Sequence, residues 1–258
     1  MLKHKIITGI TIVAFIAMLL CYFFVLQFPL YWFFVLIVIW LVFTSIGSFN
    51  IVLNYHLKAV SYITTEEKII ALTFDDGPNP NYTEKVLDLL KKYDAKASFF
   101  CIGSNCELYP DILKRIDNEN HCVGNHTYSH SNIFGFLSSN QVEKEIVKTE
   151  TIIENIIGKK PTFFRPPFGV TNPSIKKAVE KLKIKTFGWN IRSLDTVLKE
   201  EKRVLKRILP KIKSGSILLL HDTQENILPV LEQLLIFLKE QNYKVVTLET
   251  LTNIKAYE

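Results

Sequence analysis

Lys68-Ile-Ile-Ala-Leu-Thr-Phe-Asp-Asp-Gly-Pro78 runs from a string of strand formers straight into two adjacent carboxylates and a turn. Neighbouring side chains of an extended strand point to opposite faces, so two acids at its end are open to different tasks. One can bind a cation while the other moves protons. An ordinary polar turn at Asp75-Asp76-Gly77 accounts for the same residues. The rest of the chain decides between the two.

Downstream, apolar runs of strand length alternate with helical patterns. Strands are expected at 68–74, 97–102, 122–124, 163–164, 185–189, 217–220 and 243–247. Helices are expected from Thr83, a good N-cap, over 107–118 and 141–157, after Pro173, and over 197–213 and 228–240. Strand–helix units of about 25–35 residues argue for a parallel sheet covered by helices. Seven such strands favour a barrel over an open sheet. Asp75-Asp76, His126, Arg165, Asp195 and His221 each follow a strand's C-terminal end. In a parallel barrel those ends share one rim, where catalytic side chains gather. His126 and His130 stand four apart; on a helical turn their imidazoles would lie about 5–6 Å from each other. Two histidines and a carboxylate form a regular three-ligand set for catalytic zinc.

The beginning of the chain is different. Residues 1–65 hold no Asp or Glu, and their only Lys or Arg are Lys3, Lys5 and Lys58. Two apolar runs, about 6–26 and 30–46, suffice for two crossings of about 30 Å of hydrocarbon. A removable signal peptide fits poorly, because the core is long and a second run follows. A membrane anchor over 1–60, with a hairpin turn near Gln27–Pro29, is therefore expected ahead of a catalytic domain over 61–258. One crossing plus an interfacial helix is the competing arrangement. With two crossings the three lysines put both ends in the cytoplasm; a single crossing with the same N-terminus puts the domain outside. Past residue 65 the chain carries 28 basic and 25 acidic residues, too even a balance to argue for nucleic acid. Cys101, Cys106 and Cys122 cannot all pair within one domain and match no zinc motif, so buried free thiols are expected.

TFDDGP (73–78), NHTYSH (125–130), RPPFG (165–169) and LLLHD (218–222), in that order and spacing, resemble the polysaccharide deacetylases, the NodB-homology domain of carbohydrate esterase family 4. The intervening ASFFCIGSNCELYPDILKRI is similar to the family's second strand and helix, and the resemblance covers about residues 66–250. It implies a distorted (β/α) barrel and metal-dependent removal of N-acetyl groups from polymeric or lipid-linked sugars. By the same resemblance Asp76, His126 and His130 hold the metal, Asp75 is the general base oriented by Arg165, and His221 is the general acid. The backbone amide of Phe168 helps bind the oxyanion, Leu219 lines the pocket for the acetyl methyl, and Trp189 belongs to the substrate-binding set.

One motif departs from the family's pattern. Where many members read Trp-x-Val-Asp-x-x-Asp-Trp, this chain has Trp189-Asn-Ile-Arg192-Ser-Leu-Asp195-Thr196. The family's first Asp, which tunes the acid histidine, is Arg192, and the closing Trp, which walls the acetyl pocket, is Thr196. Asp195 or Asp222 is left to pair with His221. The expected activity is hydrolysis of N-acetyl groups on a GlcNAc-containing envelope glycan such as peptidoglycan, with Zn2+ and, on the same ligand chemistry, Co2+ or Ni2+ as alternatives. Deacylation of a lipid-linked sugar is the second reading, and an inactive glycan-binding scaffold the third. The membrane and an N-acetylated glycan are the expected partners, with no obligatory protein partner.

Overall fold

The computed structural model describes residues 3–24 and 28–258. Nine strands form one parallel sheet: β1 (Ala59–Val60), β2 (Ile69–Asp75), β3 (Ser98–Cys101), β4 (Cys122–Asn125), β5 (Phe163–Phe164), β6 (Lys185–Phe187), β7 (Ile191–Arg192), β8 (Ile217–His221) and β9 (Lys244–Val246). Their order is β1-β6-β5-β4-β3-β2-β8-β7, and β9 pairs the first half of β2 below β3. The sheet curls but does not close, because its edge strands β1 and β7 do not pair. The expected barrel is thus a half-barrel. Three residues separate β6 from β7, whereas a parallel crossover needs a dozen or more. The chain therefore runs directly from β6, next to the edge strand β1, to the opposite edge strand β7.

The helices are α1 (Lys3–Phe24), α2 (Tyr31–Phe49), α3 (Thr83–Lys92), α4 (Gly103–Leu108), α5 (Pro110–Asn118), α6 (Ser139–Ile157), α7 (Pro173–Leu182), α8 (Glu201–Ile208), α9 (Ile227–Glu240) and α10 (Leu248–Thr252). Two expected helices differ. The one over 107–118 divides at Tyr109, because Pro110 starts a new helix at its first position, where a missing N–H costs nothing. The one over 197–213 shrinks to α8 and a 3-10 turn over Leu209–Lys211. α6 begins two residues before the expected start at 141, on a capping box between Ser138 and Gln141, and stops at Gly158, in the left-handed region at φ 71°.

Period-two alternation splits the core. On β2, Ile70, Leu72 and Phe74 face outward with Phe99, Leu218 and Leu220, and pack under Val86, Leu87 and Leu90 of α3 and Val230, Leu234 and Leu238 of α9. Ala71, Phe100, Ile217 and Leu219 face inward with Phe163, Phe187 and Trp189. Thr73 and Asp75 share the inward face of Ala71. Burying one such large apolar side chain contributes about 1.5–3 kcal/mol.

α1 and α2 lie outside this core. Of their described residues only Gly47 is buried. At 22 and 19 residues each is long enough, at about 1.5 Å per residue, to reach across a bilayer core. The expected turn falls partly on Gln27, which is outside the described residues, as are the last residues of the first apolar run. The free ends of the pair dock on the domain. The His4 amide donates to the Tyr55 carbonyl at 3.1 Å and the Thr171 amide to the Ser48 carbonyl at 2.9 Å. Ser48 Oγ lies 3.0 Å from His56 Nε2, and Thr44 Oγ1 lies 3.1 Å from the Tyr55 hydroxyl. Gly47 is required there, since a Cβ would fall 2.2 Å from Tyr55 Cγ. Ile51, Tyr55 and Leu57 are buried, and Ile51 and Leu57 pack in the inward core.

Cys101, Cys106 and Cys122 are free and buried, whereas Cys21 on α1 is exposed. Thiol titration of the folded protein should therefore count none of the three domain cysteines until denaturant is added. Prompt reaction of all four would contradict this packing.

Candidate active site

The C-terminal ends of β2, β4, β5 and β8 bring the sequence-derived residues to one rim. Asp75 ends β2 and is the register partner of His221, the last residue of β8. Adjacent strands lie about 4.8 Å apart, so these two side chains leave the sheet side by side on its inward face. Asp76, one residue on, turns out of the strand at φ 75°. His126 follows β4 and Arg165 follows β5.

Asp76, His126 and His130 converge, with one donor atom from each lying within 4.8 Å of the others. Asp76 Oδ1 is 3.4 Å from His126 Nε2 and 3.3 Å from His130 Nε2. Ligands about 2.0–2.1 Å from a tetrahedral ion are themselves roughly 3.3 Å apart. Asp76 Oδ1 is also buried with no hydrogen-bond partner, which is costly for a polar atom that receives no other contact. His126 Nδ1 donates to the Arg165 carbonyl at 2.8 Å, directing the Nε2 lone pair into the cluster, as a ligating histidine requires. The donor set therefore fits a divalent cation.

The two imidazoles do not sit on a helical turn. Thr127 and His130 adopt φ 66° and 45°, and the loop still brings the ring centroids to 4.8 Å. Side chains outside the motifs support it. Glu145 Oε2, on α6, accepts from the amides of Tyr128 at 3.1 Å and Ser129 at 2.8 Å and from the Ser129 hydroxyl at 2.9 Å. The amides of Gly103 and Ser104 donate to the Thr127 and Tyr128 carbonyls. Asn105 Nδ2 donates to the Asp76 carbonyl at 2.9 Å. Asn105 lies within the ASFFCIGSNCELYP stretch, but Glu145 carries no local signal in a helix of alternating charge.

Arg165 is fully buried. Its Nη1 donates to Asp75 Oδ1 at 2.6 Å and to Thr73 Oγ1 at 2.8 Å, and its Nη2 donates to the Gly188 carbonyl at 2.9 Å. His221 Nδ1 donates to Asp195 Oδ1 at 2.8 Å, and the His221 amide donates to Asp195 Oδ2 at 2.7 Å. Ser193 Oγ supports Asp195 Oδ1 at 2.7 Å. Of the two acids open to pairing with His221, the structure uses Asp195. Asp222 instead accepts from the Thr83 hydroxyl, and its fully buried carboxyl is pushed up to about 7 by loss of solvent.

Burial lowers the affinity of His221 for its proton, but Asp195, followed by Asp75 and Asp76, outweighs this and raises the imidazole to about 9. Burial opposes ionisation of Asp76, yet His126, His130 and His221 hold its carboxyl well below the ordinary range. Burial, aided by the charge of His126, lowers His130.

Phe168, at φ 59°, sets its half-exposed ring 4.8 Å from that of His130. Trp189 packs on Gly169, where a Cβ would meet the indole at 2.5 Å. Leu219, 2 % exposed, faces the interior beside it. Thr196, where the family pattern has Trp, is half-buried, and its amide donates to Asp195 Oδ1 at 3.2 Å.

A family model described as polysaccharide deacetylase matches residues 62–187. A peptidoglycan-N-acetylglucosamine deacetylase of Bacillus cereus is 35 % identical over 213 residues, which cover 79 % of this chain and 99 % of that protein. The peptidoglycan-N-acetylmuramic acid deacetylase PdaC of Bacillus subtilis is 35 % identical over 193 residues, 75 % of this chain; the chain spans 40 % of PdaC's length. The solved peptidoglycan N-acetylglucosamine deacetylase Bc1960, in complex with an N-hydroxybenzamide, superposes with a TM-score of 0.73 at 32 % identity, covering 78 % of this chain and 94 % of that one. With the half-barrel, its rim of carboxylates and histidines and these likenesses in agreement, the chain belongs to the polysaccharide deacetylase family.

Proposed function

We propose that this protein is a membrane-anchored, metal-dependent hydrolase that removes N-acetyl groups from a GlcNAc-containing envelope glycan, peptidoglycan first among them. The observation that carries the reading is the orphaned, buried Oδ1 of Asp76 between two imidazole nitrogens, with an acid–base pair one strand spacing apart beside it. Asp76, His126 and His130 would hold the cation, and their nitrogen and oxygen donors suit Zn2+. When bound, the cation polarises the amide carbonyl and acidifies water.

The remaining chemistry is assigned to the chain. Asp75, aimed by Arg165, takes the proton of the attacking water. His221, held protonated by Asp195, gives a proton to the departing amine nitrogen, which would otherwise leave as an anion. The Phe168 amide is assigned to the carbonyl oxygen as charge develops on it. Leu219 and Trp189 supply apolar wall for the acetyl methyl. α1 and α2 are assigned two crossings of a membrane, with the docked start of α1 and the catalytic domain on the same side.

Docking of both helix ends, together with Lys3, Lys5 and Lys58 at those ends, favours a second reading in which the acetylated sugar is lipid-linked and is met at the cytoplasmic face. Protease treatment of intact cells separates the two compartments, and radiolabelled polymer against lipid-linked saccharide separates the substrates.

The purified full chain supplied with Zn2+ should release acetate from an N-acetylglucosamine polymer; no release from any N-acetylated glycan would end the proposal. Asp75→Asn should cut that rate roughly 10²–10⁴-fold while metal content stays that of the wild type. Glu145→Ala should weaken metal binding by about 10–100-fold, read by chelator competition, with Glu145→Gln less affected. Unchanged affinity would mean the loop holds itself.

The pH dependence follows from His221. An acid raised to about 9 is protonated below that value and loses function as pH climbs through it. Asp195→Asn removes the main raising contribution, so the alkaline limb of kcat/KM should move to lower pH. A limb that stays in place would assign the acid to another group.

A further inference from the structure

The register of β7 on β8 carries information that the catalytic roles do not use. Ile191 pairs with Leu218, and Arg192 pairs with Leu219. Ile191 and Leu218 face the outer core, so by strand alternation Arg192 leaves β7 on the inward face, with Leu219, Thr73 and Asp75. β7 is an edge strand, and the Arg192 side chain is exposed. Its guanidinium lies 5.8 Å from the Trp189 ring centroid, and Arg165 lies 5.4 Å from the same ring. Arg207 Nε donates to the Arg192 backbone carbonyl at 2.9 Å, which braces the edge strand from which Arg192 projects.

Among the described residues no carboxylate lies within ion-pair distance of Arg192 or Arg207. The nearby Asp195 is committed to His221, Ser193 and the Thr196 amide. A planar guanidinium resting on an aromatic ring presents its donor fork to a carboxylate or phosphate with little further ordering. Where the family pattern carries an acid, this edge strand carries an unpaired cation.

We propose that Arg192, braced by Arg207, forms an anion subsite that selects glycans bearing a carboxylate or phosphate on the sugar next to the one being deacetylated. This rests on the hydrolase reading, and the subsite is a specificity determinant rather than part of the proton transfers. Charge-assisted hydrogen bonds of this kind discriminate by about tenfold or more.

The test uses the full chain in detergent with three probes: a neutral N-acetylglucosamine tetramer, an alternating N-acetylglucosamine–N-acetylmuramic acid tetramer bearing lactyl carboxylates, and an N-acetylglucosamine tetramer bearing a 6-phosphate. Binding is measured in the Asp75→Asn background and acetate release in the active protein, so binding reports on the subsite whether or not acetate is released. The parent is expected to favour an anionic probe. That preference should fall about tenfold in Arg192→Gln, survive in part in Arg192→Lys, and reverse in Arg192→Asp. Added salt should erode it. Preference for the carboxylate or the phosphate probe identifies the natural group. Equal binding of neutral and anionic probes, or a preference untouched by Arg192→Gln, would overturn the subsite.

Discussion

The buried ion pair of Arg165 with Asp75 is the contact on which the site depends. A guanidinium with no solvent exposure is tolerable only if its charge and its donors are all met. Here the charge is met by Asp75, and each of the three nitrogens has an acceptor: Asp75 and Thr73 from β2 for Nη1, the Gly188 carbonyl for Nη2, and the Phe187 carbonyl at 3.3 Å for Nε. The cation also lies 4.0 Å from the centre of the Phe100 ring. One side chain therefore joins β2 and β3 to the segment after β6 across the interior of an unclosed sheet. Its own carbonyl accepts from His126 Nδ1, so the orientation of one imidazole depends on the same residue. Position of the carboxylate, closure of the core and aim of the histidine are a single arrangement, and removing the guanidinium would leave the Asp75 carboxylate buried alone.

The backbone around this pair is held in unusual conformations. Asp76, Thr127, His130, Phe168 and Leu194 all have positive φ without being glycine. Each such residue costs on the order of 1–3 kcal/mol, which surrounding bonds must offset. The hydrogen bonds of Glu145 to the 128–129 amides, and of Asn105 and the first amides of α4 to the two ligand loops, do so here.

Much of this was legible beforehand, for identifiable reasons. Strands such as 69–75 and 217–221 are long enough to show alternation, and their polar ends stand out against apolar runs. β1 and β7, two residues each, are too short to show any period; β5 is as short but runs straight into the RPPFG motif, which marks it. The His126/His130 spacing suggests proximity if the segment turns helically; in the structure left-handed residues, not a helical turn, bring the rings together. Glu145 was invisible because its role is set by α6 packing across the loop, a contact between distant parts of the chain. Asp195 and Asp222 were indistinguishable as partners for His221 by type alone. Their partners separate them, since Asp222 lies against Gly77 and Thr83, whereas Asp195 meets both the ring and the amide of His221.

The seam through Gly47, Tyr55 and Ser48 has a mechanical consequence. No slack tether separates the apolar helices from the domain, because the 3-10 turn at Ile51–Leu53 follows one residue after α2 and Ile51 is already buried in the core. Were the helices embedded as proposed, the site would stay at a constant height above the lipid and could not swing outward to sample distant strands. Its reach would be that of a fixed blade rather than a hand on an arm, and material would have to be carried past it close to the bilayer.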